Sequence, residues 1–72
     1  MEEFTRLRDI REDRDMTQAE VAAALGIPRQ QYGRYETGVY NMPLPIFKKA
    51  CVVLNVSPAW LLGLPKELDY PE

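Results

Sequence analysis

The sequence predicts an all-α protein, a compact bundle of five short helices. Three observations carry that prediction. Apolar residues recur at three- and four-residue spacing through most of the 72 residues. Helix starts are marked at Thr17 and Ser57, and stops at Gly26 and Gly63. Between Thr17 and Gly38, two short helical stretches meet at a glycine, and nearly every residue type there has a positional reason.

Glu2 to Asp13 reads as the first helix, with Phe4, Leu7 and Ile10 at threefold spacing. Glu2 and Glu3 stand where the helix dipole favours negative charge. Arg14-Asp15 is a turn. Thr17 then caps the second helix, and Glu20 can reach back to the cap to complete a capping box. Met16 and Val21 are spaced as a hydrophobic staple. Val21, Ala22 and Leu25 share one face, and Gly26 follows where a helix commonly ends in a left-handed residue. Ile27 plugs the corner, and Pro28 is expected as the opening residue of the third helix, where its missing N–H has no partner to lose. Tyr32 and Tyr35 continue the apolar face. Thr37 to Leu44 is a loop, with Gly38, Asn41 and Pro43 as turn formers. Pro45 belongs to the first turn of the fourth helix, which buries Phe47, Ala50, Cys51 and Leu54 and turns Lys48 and Lys49 outward. Ser57 caps the fifth helix, Pro58 is its first residue, and Val56 with Leu61 forms a second staple. The domain is therefore assigned to residues 1–63, its helix-turn-helix to 17–36, and residues 64–72 to a loosely held acidic tail.

Composition removes several function classes. A hydrophobic share of 46% is too rich for disorder. A chain this short buries only about 60% of its unfolded surface, so modest stability is expected. The longest apolar runs, Ala50 to Leu54 and Val21 to Leu25, are far below the ~18 residues that span a membrane. The start, MEEFTRLRDI, has neither a basic region nor an apolar core, so no secretory signal is expected. One cysteine and no histidine argue against an intrachain disulfide and a zinc site, and Cys51 reads as a small buried hydrophobe. The expectation is a cytoplasmic domain without metal or cofactor. An enzyme lacks support, since there is no histidine and no phosphate-cradling glycine loop.

Charge is the main objection to a nucleic-acid partner, because the formal total is −2. Its distribution softens that objection. Residues 1–15 hold four arginines against six acids, a net of −2. Residues 17–49 hold Arg29, Arg34, Lys48 and Lys49 against Glu20 and Glu36, a net of +2. Residues 50–72 hold Lys66 against Glu67, Asp69 and Glu72, a net of −2. The cationic part coincides with the glycine-joined helix pair, and a local field matters more than the sum.

Two helices joined by a short glycine-containing turn make a helix-turn-helix, whose second helix enters the DNA major groove. A small residue at Ala22 lets the helices approach, and Gly26 provides the corner. The first side chains of such a helix meet base edges, which nominates Arg29, Gln30 and Gln31, then Gly33 and Arg34 one turn later. Arginine pairs bidentately with guanine, glutamine with adenine. Gly33, disfavoured inside a helix, has two readings: close approach to DNA, or a tolerant surface position. Tyr32 is read as a core aromatic whose hydroxyl needs a partner.

The stretch resembles the Cro/C1-type (XRE) helix-turn-helix regulators. The likeness lies in Thr17-Gln18-x-Glu20-Val21-Ala22, in Leu25-Gly26-Ile27 and in Tyr32-x-x-Tyr35-Glu36-x-Gly38. Weaker matches are Leu7-Arg8-x-Ile10-Arg11 before it and Leu54-x-Val56-Ser57-x-x-Trp60-Leu61-Leu62-Gly63 after it. The resemblance implies a lambda-repressor-like domain that binds an inverted-repeat operator in double-stranded DNA, usually as a homodimer. It implies base contacts from Arg29, Gln30 and Arg34, with Gln31 as a fourth, and a phosphate contact from Gln18. Further phosphate contacts are implied for Thr37, Tyr40, Asn41, Lys48 and Lys49. An Arg11–Glu36 pair is implied to tie the first helix to the end of the recognition helix. Dimer contacts are implied for Val52, Val53, Asn55, Trp60 and Leu64, although Trp60 serves equally well to close the core. The sequence departs from the family pattern at Tyr32, usually aliphatic, and at Leu44 and Pro45, usually polar.

Seventy-two residues leave no room for a sensor domain, so regulation is expected through competition, abundance or a partner. That suits a phage-type repressor, a small bacterial regulator working at the nucleoid, an antitoxin, or a domain cut from a longer chain. The acidic first helix and tail motivate an alternative: a protein-interaction module that keeps the fold and binds a protein partner with little or no affinity for DNA.

Overall fold

The computed structural model describes residues 2–63, with side chains from Arg6 onward. They form five helices: α1 (Glu2–Asp13), α2 (Gln18–Leu25), α3 (Arg29–Glu36), α4 (Leu44–Val53) and α5 (Pro58–Leu62). The side chain of Phe4 and the tail at 64–72, Leu64 included, lie outside the described residues.

One device makes all four connections. A helix stops at a residue with positive φ, and the next residue bonds its N–H to the carbonyl five positions back. The stops are Asp15 (φ 56°), Gly26 (74°), Gly38 (81°) and Asn55 (51°). The returning bonds run from Met16 to Arg11, Ile27 to Ala22, Val39 to Arg34 and Val56 to Cys51, all at 3.0–3.1 Å. This is the Schellman closure, which satisfies carbonyls that the helix end would orphan. In three of the four, the bonding residue (Met16, Ile27 or Val56) also packs against the core.

Two helices then begin on side-chain caps. The Thr17 hydroxyl accepts from the Glu20 N–H at 3.1 Å, and the Thr17 N–H donates to Glu20 Oε1 at 2.8 Å, completing the capping box. Ser57 Oγ accepts from the N–H groups of Ala59 and Trp60. Pro28 differs from expectation by one position. Its φ of −62° suits a helix, but its ψ of 144° is extended, so it is the cap and Arg29 is the first helical residue. Pro43 does the same for α4, which draws Leu44 out of the loop and into the helix.

The core takes Leu7 and Ile10 from α1, Val21, Ala22 and Leu25 from α2, Tyr32 and Tyr35 from α3, Ala50 and Cys51 from α4, then Leu54 and Leu61. Phe47, expected to be buried, is half-buried against this cluster. α2 packs on α3 and α4, while α1 packs on α3 and α5. Burial pushes the Cys51 thiol above its ordinary pKa, away from the reactive thiolate.

Two arginines, Arg6 of α1 and Arg14 in the turn after it, make contacts that local pattern does not announce. Arg14 Nε donates to the Leu54 carbonyl at 2.9 Å and Nη2 to the Asn55 carbonyl at 3.0 Å, closing the C-terminal end of α4. Arg6 lies over the Trp60 ring at 5.0 Å and donates to the Trp60 carbonyl at 3.1 Å. No described helix is long and apolar enough to cross a membrane.

Gly26→Ala should cost about 1–2 kcal/mol. A Cβ there would meet nothing within 4 Å, so the loss is wholly backbone strain. Thr17→Ala should cost about 1 kcal/mol. Urea unfolding midpoints measure both, and an unchanged midpoint in either variant contradicts the cap assignment.

Candidate nucleic-acid interface

α3 begins without a side-chain cap and with no acid in its first turn, so the positive end of its dipole is unneutralised by its own residues. Arg29, Gln30 and Arg34 are exposed along it. Glu36, the single acid of α3, does not share that surface. Its side chain is 3% exposed and turned onto Arg11, whose side chain is 12% exposed. The outward edge of α3 is therefore cationic and amide-bearing.

The Arg11–Glu36 pair expected from resemblance is present and bidentate. Arg11 Nε donates to Glu36 Oε2 at 2.6 Å and Nη2 to Oε1 at 3.3 Å, while Nη1 donates to the Met16 carbonyl at 2.9 Å. Gln18 joins them, donating Nε2 to Glu36 Oε1 at 3.0 Å. One carboxylate, on the last residue of α3, thus binds α1 and the first residue of α2. Burial alone would raise the Glu36 pKa; the hydrogen bonds from Arg11 and Gln18 outweigh it and hold the carboxyl below its ordinary value. The bond to Glu36 raises Arg11 in return.

Tyr32 is fully buried beside this pair. Burial, then the neighbouring Glu36 charge, pushes its hydroxyl far above the ordinary phenol range. Close as that hydroxyl is to Glu36, it makes no hydrogen bond among the described residues. The core-aromatic reading holds, without the partner that the hydroxyl was expected to find.

Of the nominated base readers, Gln31 stands apart. It is half-buried and donates Nε2 to the Tyr35 hydroxyl at 2.7 Å, so its amide is already engaged by the core. Gly33 faces Gln18: an added Cβ would meet only Gln18 Oε1, at an ordinary 3.7 Å. The protein's own packing therefore does not require a glycine there.

The loop after α3 folds back on Arg34, whose carbonyl accepts from the N–H groups of Val39 and Tyr40 at 3.0 and 3.2 Å and from the Thr37 hydroxyl at 3.3 Å. The Arg34 guanidinium lies over the Tyr40 ring at 5.5 Å, and that ring meets Tyr35 edge-on at 6.4 Å and 65°. Asn41, Lys48 and Lys49 are exposed, the lysines on α4.

The residues nominated for a dimer are not one surface type. Val52 is 81% exposed and Asn55 is exposed, but Val53 packs against the core. Trp60 does not close the core: it lies at the surface under Arg6, and Leu61 takes the buried position. Among the described residues, no group of histidine, cysteine or acidic side chains could hold a metal. Sequence reading overlooked the Gln31–Tyr35 and Arg34–Tyr40 contacts; the fourfold spacing of Gln31 and Tyr35 was the available clue.

A family model described as helix-turn-helix matches residues 7–61, most of the chain. No curated protein and no solved structure matches it.

Arg11→Met should destabilise by roughly 3–5 kcal/mol, because Glu36 stays buried without its partner. Tyr32→Phe should be neutral or stabilising by about 1 kcal/mol, since the lost hydroxyl bonds nothing; a clear loss would mean that it pairs in solution. Glu36 has a depressed folded pKa, so its contribution is complete above the ordinary 4.5 and drains away as pH falls through the lower folded value. Unfolding followed from neutral to acid pH should show that loss in the wild type and a shallower one in Glu36→Gln.

Proposed function

The chain belongs to the Cro/C1-type (XRE) helix-turn-helix family of DNA-binding regulators, and from that premise we propose that it is a sequence-specific transcriptional repressor. In this reading α3 enters the major groove of an operator, Arg29 and Arg34 favour guanine, and Gln30 favours adenine. Gln31 offers its amide oxygen, its N–H end being held by Tyr35. Gln18, Lys48 and Lys49 contact phosphates, with Thr37, Tyr40 and Asn41 in the neighbouring loop. The binding unit is residues 1–63, with 64–72 as a tail. It acts at the nucleoid as a homodimer, with Val52, 81% exposed, on the dimer surface. Two recognition helices about 34 Å apart call for a short inverted repeat.

The observation that carries this reading is the inward turn of Glu36. It leaves the α3 edge with Arg29, Gln30 and Arg34 and no opposing carboxylate of its own helix.

A second reading, a module that binds protein, is favoured by the exposed Leu44 and Val52, which line one groove with Lys48 and Lys49. Salt separates the two. Operator binding weakens with a log–log slope near −0.9 per neutralised phosphate, and Lys48→Gln should lower that slope by about 1 for each subunit. A chain that shifts no DNA at low salt, yet captures a defined protein, supports the module.

Selection from a random DNA pool should return an inverted repeat. Gln30→Ala should then alter preference at one base position, whereas Gln18→Ala should weaken all sites alike. Identical behaviour of the two variants contradicts this division of roles. Gly33→Ala should gain about 1 kcal/mol of stability from helix propensity while lowering DNA affinity. Unchanged affinity there would mark the position as merely tolerant.

A further inference from the structure

Arg34 differs from Arg29 in having a support. Beneath its guanidinium lies the face of Tyr40, 5.5 Å from the ring centre, and the Tyr40 hydroxyl is 3.5 Å from Nη1. Tyr40 is itself braced. Its ring stands edge-on to the buried Tyr35, and its N–H is tied to the Arg34 carbonyl. The left-handed turn at Gly38 is what brings the loop back so that residue 40 can lie beside residue 34. Side chain and backbone of Arg34 are therefore both held by the same tyrosine.

We propose that Tyr40 is a positioning residue for Arg34, a cation–π platform that sets the guanidinium's direction before DNA arrives. This role rests on the proposed reading of guanine by Arg34, and it differs from the phosphate contact that family likeness suggests for Tyr40. An exposed arginine samples many rotamers, and ordering it on binding opposes association. A guanidinium already held over an aromatic ring loses less freedom when it enters the groove. The platform thus acts on discrimination at one base pair more than on general affinity for DNA.

The full chain is tested against its selected operator and against operators changed at the base pair where Arg34→Ala abolishes the preference. Tyr40→Leu, with folding verified by thermal unfolding, should lower that preference about 2- to 10-fold. Tyr40→Phe keeps the ring face and should restore it to within about twofold. In the Arg34→Ala background, Tyr40→Leu should change nothing further at that base pair. In the free protein, nuclear relaxation of the Arg34 Nε–H should show restricted motion in wild type and Tyr40→Phe and greater motion in Tyr40→Leu.

Three outcomes overturn the platform alone while wild type and Arg34→Ala behave as stated. They are full preference in Tyr40→Leu, a loss in Tyr40→Phe equal to that in Tyr40→Leu, and an effect that persists without Arg34. The second would assign the positioning to the hydroxyl, 3.5 Å from Arg34 Nη1, and not to the ring face. If wild type binds no DNA, or Arg34→Ala alters no base pair, the guanine-reading role itself fails and the platform falls with it.

Discussion

The bond between Arg11 and Glu36 is the constraint on which the other features depend. Neither group could be buried alone, because an ionised side chain stripped of water needs a partner and filled hydrogen-bonding positions. Here the guanidinium reaches both carboxylate oxygens and the Met16 carbonyl, while Gln18 supplies a further donor to the acid. A two-body contact becomes a junction of three helices. It fixes how α1 lies against the start of α2 and the end of α3.

The same junction reconciles an acidic chain with a family that binds DNA. Arg11 and Arg14 are directed at a carboxylate and at backbone carbonyls, and Arg6 at Trp60, so much of the cationic charge of the first fifteen residues serves cohesion. Glu36 is withdrawn in the same act. What remains on α3 is Arg29, Gln30 and Arg34, all exposed. Net charge is a sum over all residues, whereas a polyanion meets only the charges that face it.

Much of the fold was legible because its signals are local. The capping box at Thr17, the stop at Gly26 and the Ser57-Pro58 start each involve residues within a few positions, and each formed as read. The left-handed stops at Asp15 and Asn55 were not legible, since aspartate and asparagine adopt that conformation without demanding it. The displacement of Pro28 from first residue to cap has a similar origin: proline settles φ, and only ψ separates helix from extended chain. Arg11–Glu36 came from family likeness, because twenty-five residues separate the partners and no periodicity links them. Gln31 shows the converse limit. Its exposure pattern nominated a base reader, and only the packed structure brings the Tyr35 hydroxyl to its amide.

α1 and the turn after it hold the bundle by contacts that are remote along the chain, to partners 25 to 54 residues away. The α2–α3 corner, by contrast, is made from bonds that span three to five residues. Closing a long loop is entropically harder than closing a short one, so the corner can assemble while the amino-terminal helix is still loose. The first segment of the chain can thereby lock after that corner, a clasp fastened over a hinge that has already formed.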